Sequence, residues 1–212
     1  MFLKKILPAL QEQAKELGWI SATTFQKKMV SRIKSGLSLM ALGPEDSGKS
    51  AALAVGVLQI LKEEEGDTPR AIWLAQSDEE ILKQMERFEA LGENLSVRVI
   101  PATEKGDILK QKDAIYFGSD LVLTTPKRAN ALLSIEGINM ISMRHLFIDS
   151  ADKLLRNEIR TLCYRVSESM PKAQVILAAR KSSIYIERYE EQFMNQVELL
   201  VTKDSIKNPE CT

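Results

Sequence analysis

Leu37-Ser-Leu-Met-Ala-Leu42, then Gly43-Pro-Glu-Asp-Ser-Gly-Lys-Ser50, then Ala51-Ala-Leu-Ala-Val-Gly-Val-Leu-Gln-Ile-Leu61 form the stretch whose reading decides the fold. A short apolar run, a glycine-bounded turn and an apolar run of helical length read as strand, loop and helix. The turn fits G-x-x-x-x-G-K-[ST] in the strand-to-helix context that gives this pattern its meaning. Backbone N–H groups and a helix N-terminus surround phosphate oxygens in such a loop, the lysine reaches the terminal phosphates, and the hydroxyl after it meets Mg²⁺. Gly43, Ser47, Gly48, Lys49 and Ser50 are therefore candidate nucleotide-binding residues, with Ser50 a candidate Mg²⁺ ligand. The bland alternative is a glycine turn capped by Ser47, with Lys49 merely solvated. Glu45 and Asp46 place two carboxylates in a loop built for a polyanion. Each repulsion, at ~6 Å and an effective dielectric of ~20, costs about 1–3 kcal/mol, so weakened binding is expected.

Outward from this unit, short apolar runs alternate with amphipathic ones. Strands are expected at Leu37–Leu42, Ala71–Ala75, Val97–Pro101, Asp120–Thr124, His145–Asp149, Gln174–Ala179 and Val197–Val201. Helices are expected at Lys49–Glu64, Asp78–Leu91, Lys127–Ile135, Lys153–Glu168 and Ile184–Met194, preceded by Leu3–Leu17 and Thr24–Ser35. Alternation of this kind predicts an α/β fold: a doubly wound, mostly parallel sheet of about seven strands with helices on both faces. Runs such as Leu121-Val-Leu and Leu146-Phe-Ile are apolar at consecutive positions, as strands buried on two faces should be. No linker interrupts the pattern, so residues 1–204 read as one domain and 205–212 as a flexible tail.

Composition narrows the function classes. Lys+Arg and Asp+Glu number 29 each, so the net charge is zero and any nucleic-acid contact must be local. The longest apolar run falls short of the ~20 residues that span a bilayer, which excludes a membrane partner. Two cysteines and one histidine, His145, exclude a disulfide framework and a multi-histidine metal site, and point to a reduced, cytoplasmic protein. His145 and the run Glu63-Glu64-Glu65 read as structural and solvated, respectively, and Asp152 as the N-cap of the helix after it.

A second chemical element is the apolar strand ending Leu146-Phe-Ile-Asp149, where Asp149 is a candidate to hold Mg²⁺ through water. The sequence continues Ser150-Ala151-Asp152. Here the chain resembles the DEAD-box RNA helicases, whose Asp-Glu-Ala-Asp motif is written Asp149-Ser150-Ala151-Asp152. The resemblance covers nearly the whole chain and corresponds to the first of that family's two RecA-like domains. Gly18-Trp19 followed by Thr23-Thr24-Phe25-Gln26 is similar to the adenine-recognising Q motif, which implies that Gln26 reads the base and places a Q-motif-like segment in residues 1–35; Ala22 and Thr24 replace its prolines. Thr125-Pro126-Lys127-Arg128 is similar to the Thr-Pro-Gly-Arg segment that touches RNA backbone, which makes these four the candidate RNA-binding residues.

The departures are as telling. Ser150 replaces the glutamate that orients and deprotonates the attacking water, and general-base assistance is worth ~10²–10⁴ in rate. The stretch Gln174–Lys181 falls where the family has Ser-Ala-Thr and lacks both hydroxyl residues, Asp78 stands where motif Ia has arginine, and no Gly-Gly turn follows the third strand near Ala102-Thr103-Glu104. The resemblance implies a degenerate helicase-like domain that binds ATP or ADP with Mg²⁺ weakly and contacts single-stranded RNA backbone. Its hydrolysis is impaired, and a protein partner that supplies a second RecA domain is a candidate. Two rival readings follow: an active RNA-dependent ATPase half completed in trans or in a longer parent chain, and a nucleotide-free interaction scaffold.

Overall fold

A computed structural model describes residues 6–19 and 21–202. Its elements, in chain order, are α1 (Pro8–Glu16), α2 (Thr24–Ser35), β1 (Leu39–Leu42), α3 (Lys49–Leu61), β2 (Ala71–Leu74), α4 (Asp78–Gly92), β3 (Val99–Ala102) and α5 (Ile108–Tyr116). Next come β4 (Leu121–Thr124), α6 (Pro126–Ser134), β5 (His145–Ile148), α7 (Ala151–Leu154), α8 (Ile159–Glu168), β6 (Gln174–Ala179), α9 (Ile184–Phe193) and β7 (Glu198–Val201). The seven strands form one sheet in the order β3-β4-β2-β5-β6-β1-β7, with each neighbouring pair parallel. The expected α/β architecture is present.

Parallel strands joined by helices bury both faces, and the side chains divide accordingly. Trp73 and Phe147 face the layer of α1 to α4 with Leu53 and Phe88, while Ile72, Leu146 and Leu177 face the layer that contains Cys163 and Tyr189. Trp73 packs edge-on against Phe88 at 5.7 Å and stacks on Phe147 at 5.9 Å. Gly56 lets α2 and α3 approach closely, because a Cβ there would stand 2.4 Å from Ile33 Cδ1. His145 is structural as read: its Nδ1 pairs with Gln174 Oε1 at 2.9 Å, and Gln174 Nε2 donates to the carbonyls of Ile33 and Leu37. Burial pushes the Cys163 thiol up to about 12, which leaves it a packing residue.

The structure corrects several expectations. The expected helix to Glu64 stops at Leu61, because Lys62 turns to φ 63°. The expected Lys153–Glu168 helix is two helices, α7 and α8, separated by Asn157 at φ 50°. Helix α5 has no counterpart in the expected list; Asp107 caps it by accepting from the amides of Leu109 and Lys110. Asp152 is not an N-cap, since α7 begins at Ala151 after Ser150. The expected helix start at Leu3, the tail 205–212 and Cys211 lie outside the described residues. No helix among the described residues is long and apolar enough to cross a membrane.

The run Glu63-Glu64-Glu65 is not simply solvated. Glu65 pairs with Arg70 at 2.9 Å and Arg144 at 3.0 Å, and its amide donates to Asp120. Asp120, wholly buried before β4, also accepts from the side chains of Arg70 and Arg98 and from the Arg98 amide. Burial acts to raise its pKa, but the hydrogen bonds from Arg98, Glu65 and Arg70 outweigh it and hold the carboxyl below its ordinary value. Asp120→Asn strands two arginines against a neutral amide and should cost about 3–5 kcal/mol in urea unfolding at neutral pH. A depressed folded pKa contributes stability above the unfolded value near ~3.9 and loses it as pH falls through the folded value. Wild-type unfolding free energy should therefore drop on acidification below about pH 4 by an increment that Asp120→Asn lacks.

Candidate functional site

The C-terminal edge of a parallel sheet is where loops can gather chemistry, and three adjacent strands do so here. In the order β5-β6-β1 they deliver Asp149, Arg180 and the Gly43–Ser50 loop to the same edge. The loop is tied to its neighbour by the Gly43 amide, which donates to the carbonyl of Ala179 at 3.0 Å.

Within the loop, Gly48 adopts φ 73° and ψ 25°, the left-handed region that turns the chain into α3. Lys49 is buried and its ammonium folds back into the loop. It donates to the carbonyl of Gly43 at 2.6 Å, to that of Pro44, and to Ser47 Oγ at 3.2 Å. Three donors thus meet three acceptors belonging to the loop itself. Burial lowers the Lys49 pKa, against the nearby charges of Asp149, Asp152 and Glu45 that raise it; Arg180 adds to the lowering. Glu45 and Asp46 sit on a short 3-10 turn, Glu45–Ser47, and are exposed. Glu45 leans toward Lys153 at 3.5 Å, so solvent and a cation moderate the repulsion expected of it.

Asp149, expected opposite this loop, is buried there and takes hydrogen bonds from the Ser50 side chain and from the Ser150 amide at 2.9 Å. Burial pushes its carboxyl up, with Glu80 adding to the rise, while those hydrogen bonds and Lys49 oppose it. A hydroxyl and a carboxylate in contact beside an ammonium are hard oxygen ligands of the kind Mg²⁺ takes together with substrate phosphates. The residues present therefore fit a magnesium nucleotide. Among the described residues no cluster of three His, Cys, Asp or Glu offers a resident metal site of its own.

Ser150 stands beyond Asp149 in the left-handed region, at φ 58° and ψ 43°. Asp152, nearly inaccessible, accepts from the Arg180 amide and from Arg180 Nε, both at 3.2 Å. The sequence reading assigns no role to Arg180 or Lys153. Their signal was the opposite charge facing them, which only the fold brings near.

Gln26 is the N3 residue of a capping box on α2: its Oε1 accepts from the Thr23 amide at 2.9 Å, and Thr23 Oγ1 accepts from the Gln26 amide. Its Nε2 also donates to the Gly48 carbonyl at 3.4 Å, linking α2 to the loop. Beside it lies a cavity of about 520 Å³ lined by Trp19, Ala22, Gln26, Val30, Ala52 and Val55 among others.

The second candidate group gathers at the start of α6, at the same sheet edge but beyond β2. Thr125 is the N-cap, accepting from the Arg128 amide at 3.1 Å, and Pro126 opens the helix. Every polar side chain of the four turns toward the loop after β3. Thr125 Oγ1 donates to Glu104 Oε1 at 2.8 Å, Lys127 pairs with Glu104 Oε2 at 3.2 Å, and Arg128 donates to the carbonyls of Glu104 and Gly106. Sequence reasoning missed Glu104 as their partner because a separation of 21 residues carries no local pattern.

Comparison with known proteins places this geometry. The family model described as DEAD/DEAH box helicase matches residues 23–179. The ATP-dependent rRNA helicase RRP3 of Coccidioides immitis is 29% identical over 171 residues, covering 79% of this chain and 35% of that protein. Eukaryotic initiation factor 4A of Caenorhabditis elegans is 24% identical over 192 residues, covering 89% of this chain and 47% of that protein. The chain thus spans between a third and a half of these relatives. Among solved structures, a DEAD box protein from the hyperthermophile Methanococcus jannaschii superposes with a TM-score of 0.87 at 18% identity, over 93% of this chain and 54% of that one. The yeast splicing factor Prp28 gives 0.84 at 17% identity, over 92% of this chain and 49% of its own. These two show the shared fold.

Gly48→Ala tests how the loop is held. Its Cβ would stand 2.0 Å from Gln26 Nε2, in a left-handed backbone that alanine adopts with strain. The exchange should lower unfolding free energy by about 1–3 kcal/mol in urea titrations without nucleotide.

Proposed function

Because the chain belongs to the DEAD/DEAH box helicase family, we propose that it is a helicase-type module that binds ATP or ADP with Mg²⁺ weakly and hydrolyses it poorly. The observation that carries this reading is the retained contact of Ser50 with Asp149 next to Lys49, combined with Ser150 where the family's general base stands. When bound, the magnesium nucleotide supplies a phosphoanhydride and the cation that neutralises it. Lys49 would hold the terminal phosphates, Ser50 and Asp149 would orient the cation, and the amides around Gly48 would face the chain of phosphates. The cavity beside Gln26, walled by Trp19, Val30 and Val55 and offering one carboxamide, suits a flat heteroaromatic base.

Two features argue for weak binding. Phosphate must draw Lys49 away from the Gly43 and Pro44 carbonyls, and the base must share Gln26 with Thr23 and Gly48. Ser150 lacks the basicity to take a proton from water, which removes a contribution of ~10²–10⁴ to the rate. RNA backbone contact through Thr125, Pro126, Lys127 and Arg128, and a second RecA domain supplied by a partner or a longer chain, complete the proposal. The rival reading, a nucleotide-free scaffold, is favoured by the saturation of Lys49 within its own loop.

Titration with a fluorescent adenine nucleotide and Mg²⁺ separates the two. Saturable binding is expected, with a dissociation constant between about 0.1 and 1 mM, weakened about tenfold or more by Lys49→Ala. Phosphate release should not exceed that of Lys49→Ala. Absence of saturation at millimolar nucleotide leaves the scaffold, and brisk release restores the active enzyme.

A further inference from the structure

The loop between β3 and α5 does more than approach the candidate RNA residues. Two acidic side chains occupy two neighbouring groups of anion donors there. The Asp78 carboxylate, at the start of α4, accepts from the amides of Glu104 and Lys105, at 2.7 and 3.1 Å. The Glu104 carboxylate accepts from Thr125 Oγ1 and meets the Lys127 ammonium, each oxygen on its own partner. Paired backbone amides, and a hydroxyl beside an ammonium, are the groups proteins use to hold the non-bridging oxygens of a nucleic-acid phosphate. Arg128 is turned inward to the carbonyls of Glu104 and Gly106 and so braces the same loop.

The cluster is open to water: Lys127 is 77% and Glu104 36% exposed at the side chain. An ion pair at such a position adds little to stability, so the fold has small need of the Glu104 charge. A phosphodiester chain arriving at this face would meet two negative charges already seated on its donors.

Resting on the proposal that Thr125 to Arg128 contact RNA backbone, we infer that Asp78 and Glu104 are built-in stand-ins for two RNA phosphates that compete with single-stranded RNA and weaken its hold on this face. Neutralising both carboxylates should strengthen RNA binding there. Glu104→Gln removes charge at nearly constant volume and leaves Thr125 a weaker, displaceable acceptor, while Asp78→Asn removes charge and keeps only one of the two amide hydrogen bonds, since its NH2 cannot accept from the other.

Fluorescence anisotropy with a labelled oligouridylate, at low and at physiological salt, reads the outcome on the full chain. Asp78→Asn/Glu104→Gln should bind about tenfold or more tightly than wild type, with Glu104→Gln alone between them. Adding Thr125→Val should erase the gain, because Thr125 supplies a donor rather than bulk charge. Thermal melts of each variant within a few degrees of wild type confirm that the fold is intact. A gain that survives Thr125→Val overturns the inference, since generic loss of negative charge then accounts for it. Tight wild-type binding with no gain in the variants overturns it while leaving RNA contact standing. No binding by any of them overturns both, and nucleotide titration of the same samples judges the phosphate loop separately.

Discussion

An ionised carboxylate taken out of water must be met by donors, and this molecule is arranged around three acids that are. Asp120 is met by two arginines and two amides at the N-terminal edge of the sheet. Asp149 is met by a hydroxyl and an amide at the C-terminal edge, and Asp152 by the backbone and side chain of Arg180. The parallel strand order makes these meetings occur, since β4 and β2 bring Arg70 to Asp120, while β5 and β6 bring Arg180 to Asp152. Breaking one partner leaves a charge that the low-dielectric interior cannot screen.

The same rule separates the two ends of the sheet. At the Asp120 end both carboxylate oxygens are met by arginines and amides of the fold itself, so that end is structural. At the other end Lys49 is held by two loop carbonyls and the Ser47 hydroxyl, and Asp149 by the Ser50 hydroxyl and the Ser150 amide, and the loop acceptors of Lys49 are ones that a phosphate group could replace. Substitutable partners distinguish a site from a brace.

Much of this was legible in the sequence because its signals are local. A strand, a glycine-bounded loop and a helix lie consecutively in residues 37–61, and Asp149 closes an apolar run, so the loop and its acid could be placed before any coordinates. The sheet was legible because two-sided burial leaves uninterrupted apolar runs. Three kinds of feature were not. Helix ends at Leu61 and the break near Asn157 depend on single residues of positive φ that no apolar periodicity marks. Helix α5 was hidden by its shortness, nine residues whose apolar positions cluster at the two ends, and its cap, Asp107, is informative only once its amide partners are known. The pairings Asp152 with Arg180, Glu45 with Lys153 and Glu104 with Thr125 join residues 28, 108 and 21 positions apart, and only topology brings them together.

The backbone at Ser150 bears on which side chains the position tolerates. A side chain in the left-handed region carries a steric cost of about 1–2 kcal/mol that serine, with its short polar group, endures more readily than a long acid. A longer side chain introduced there would carry the same strain with more atoms to place. The bend at Ser150 thus acts as a size filter on its own side chain, set by the main chain where the strand leaves the sheet.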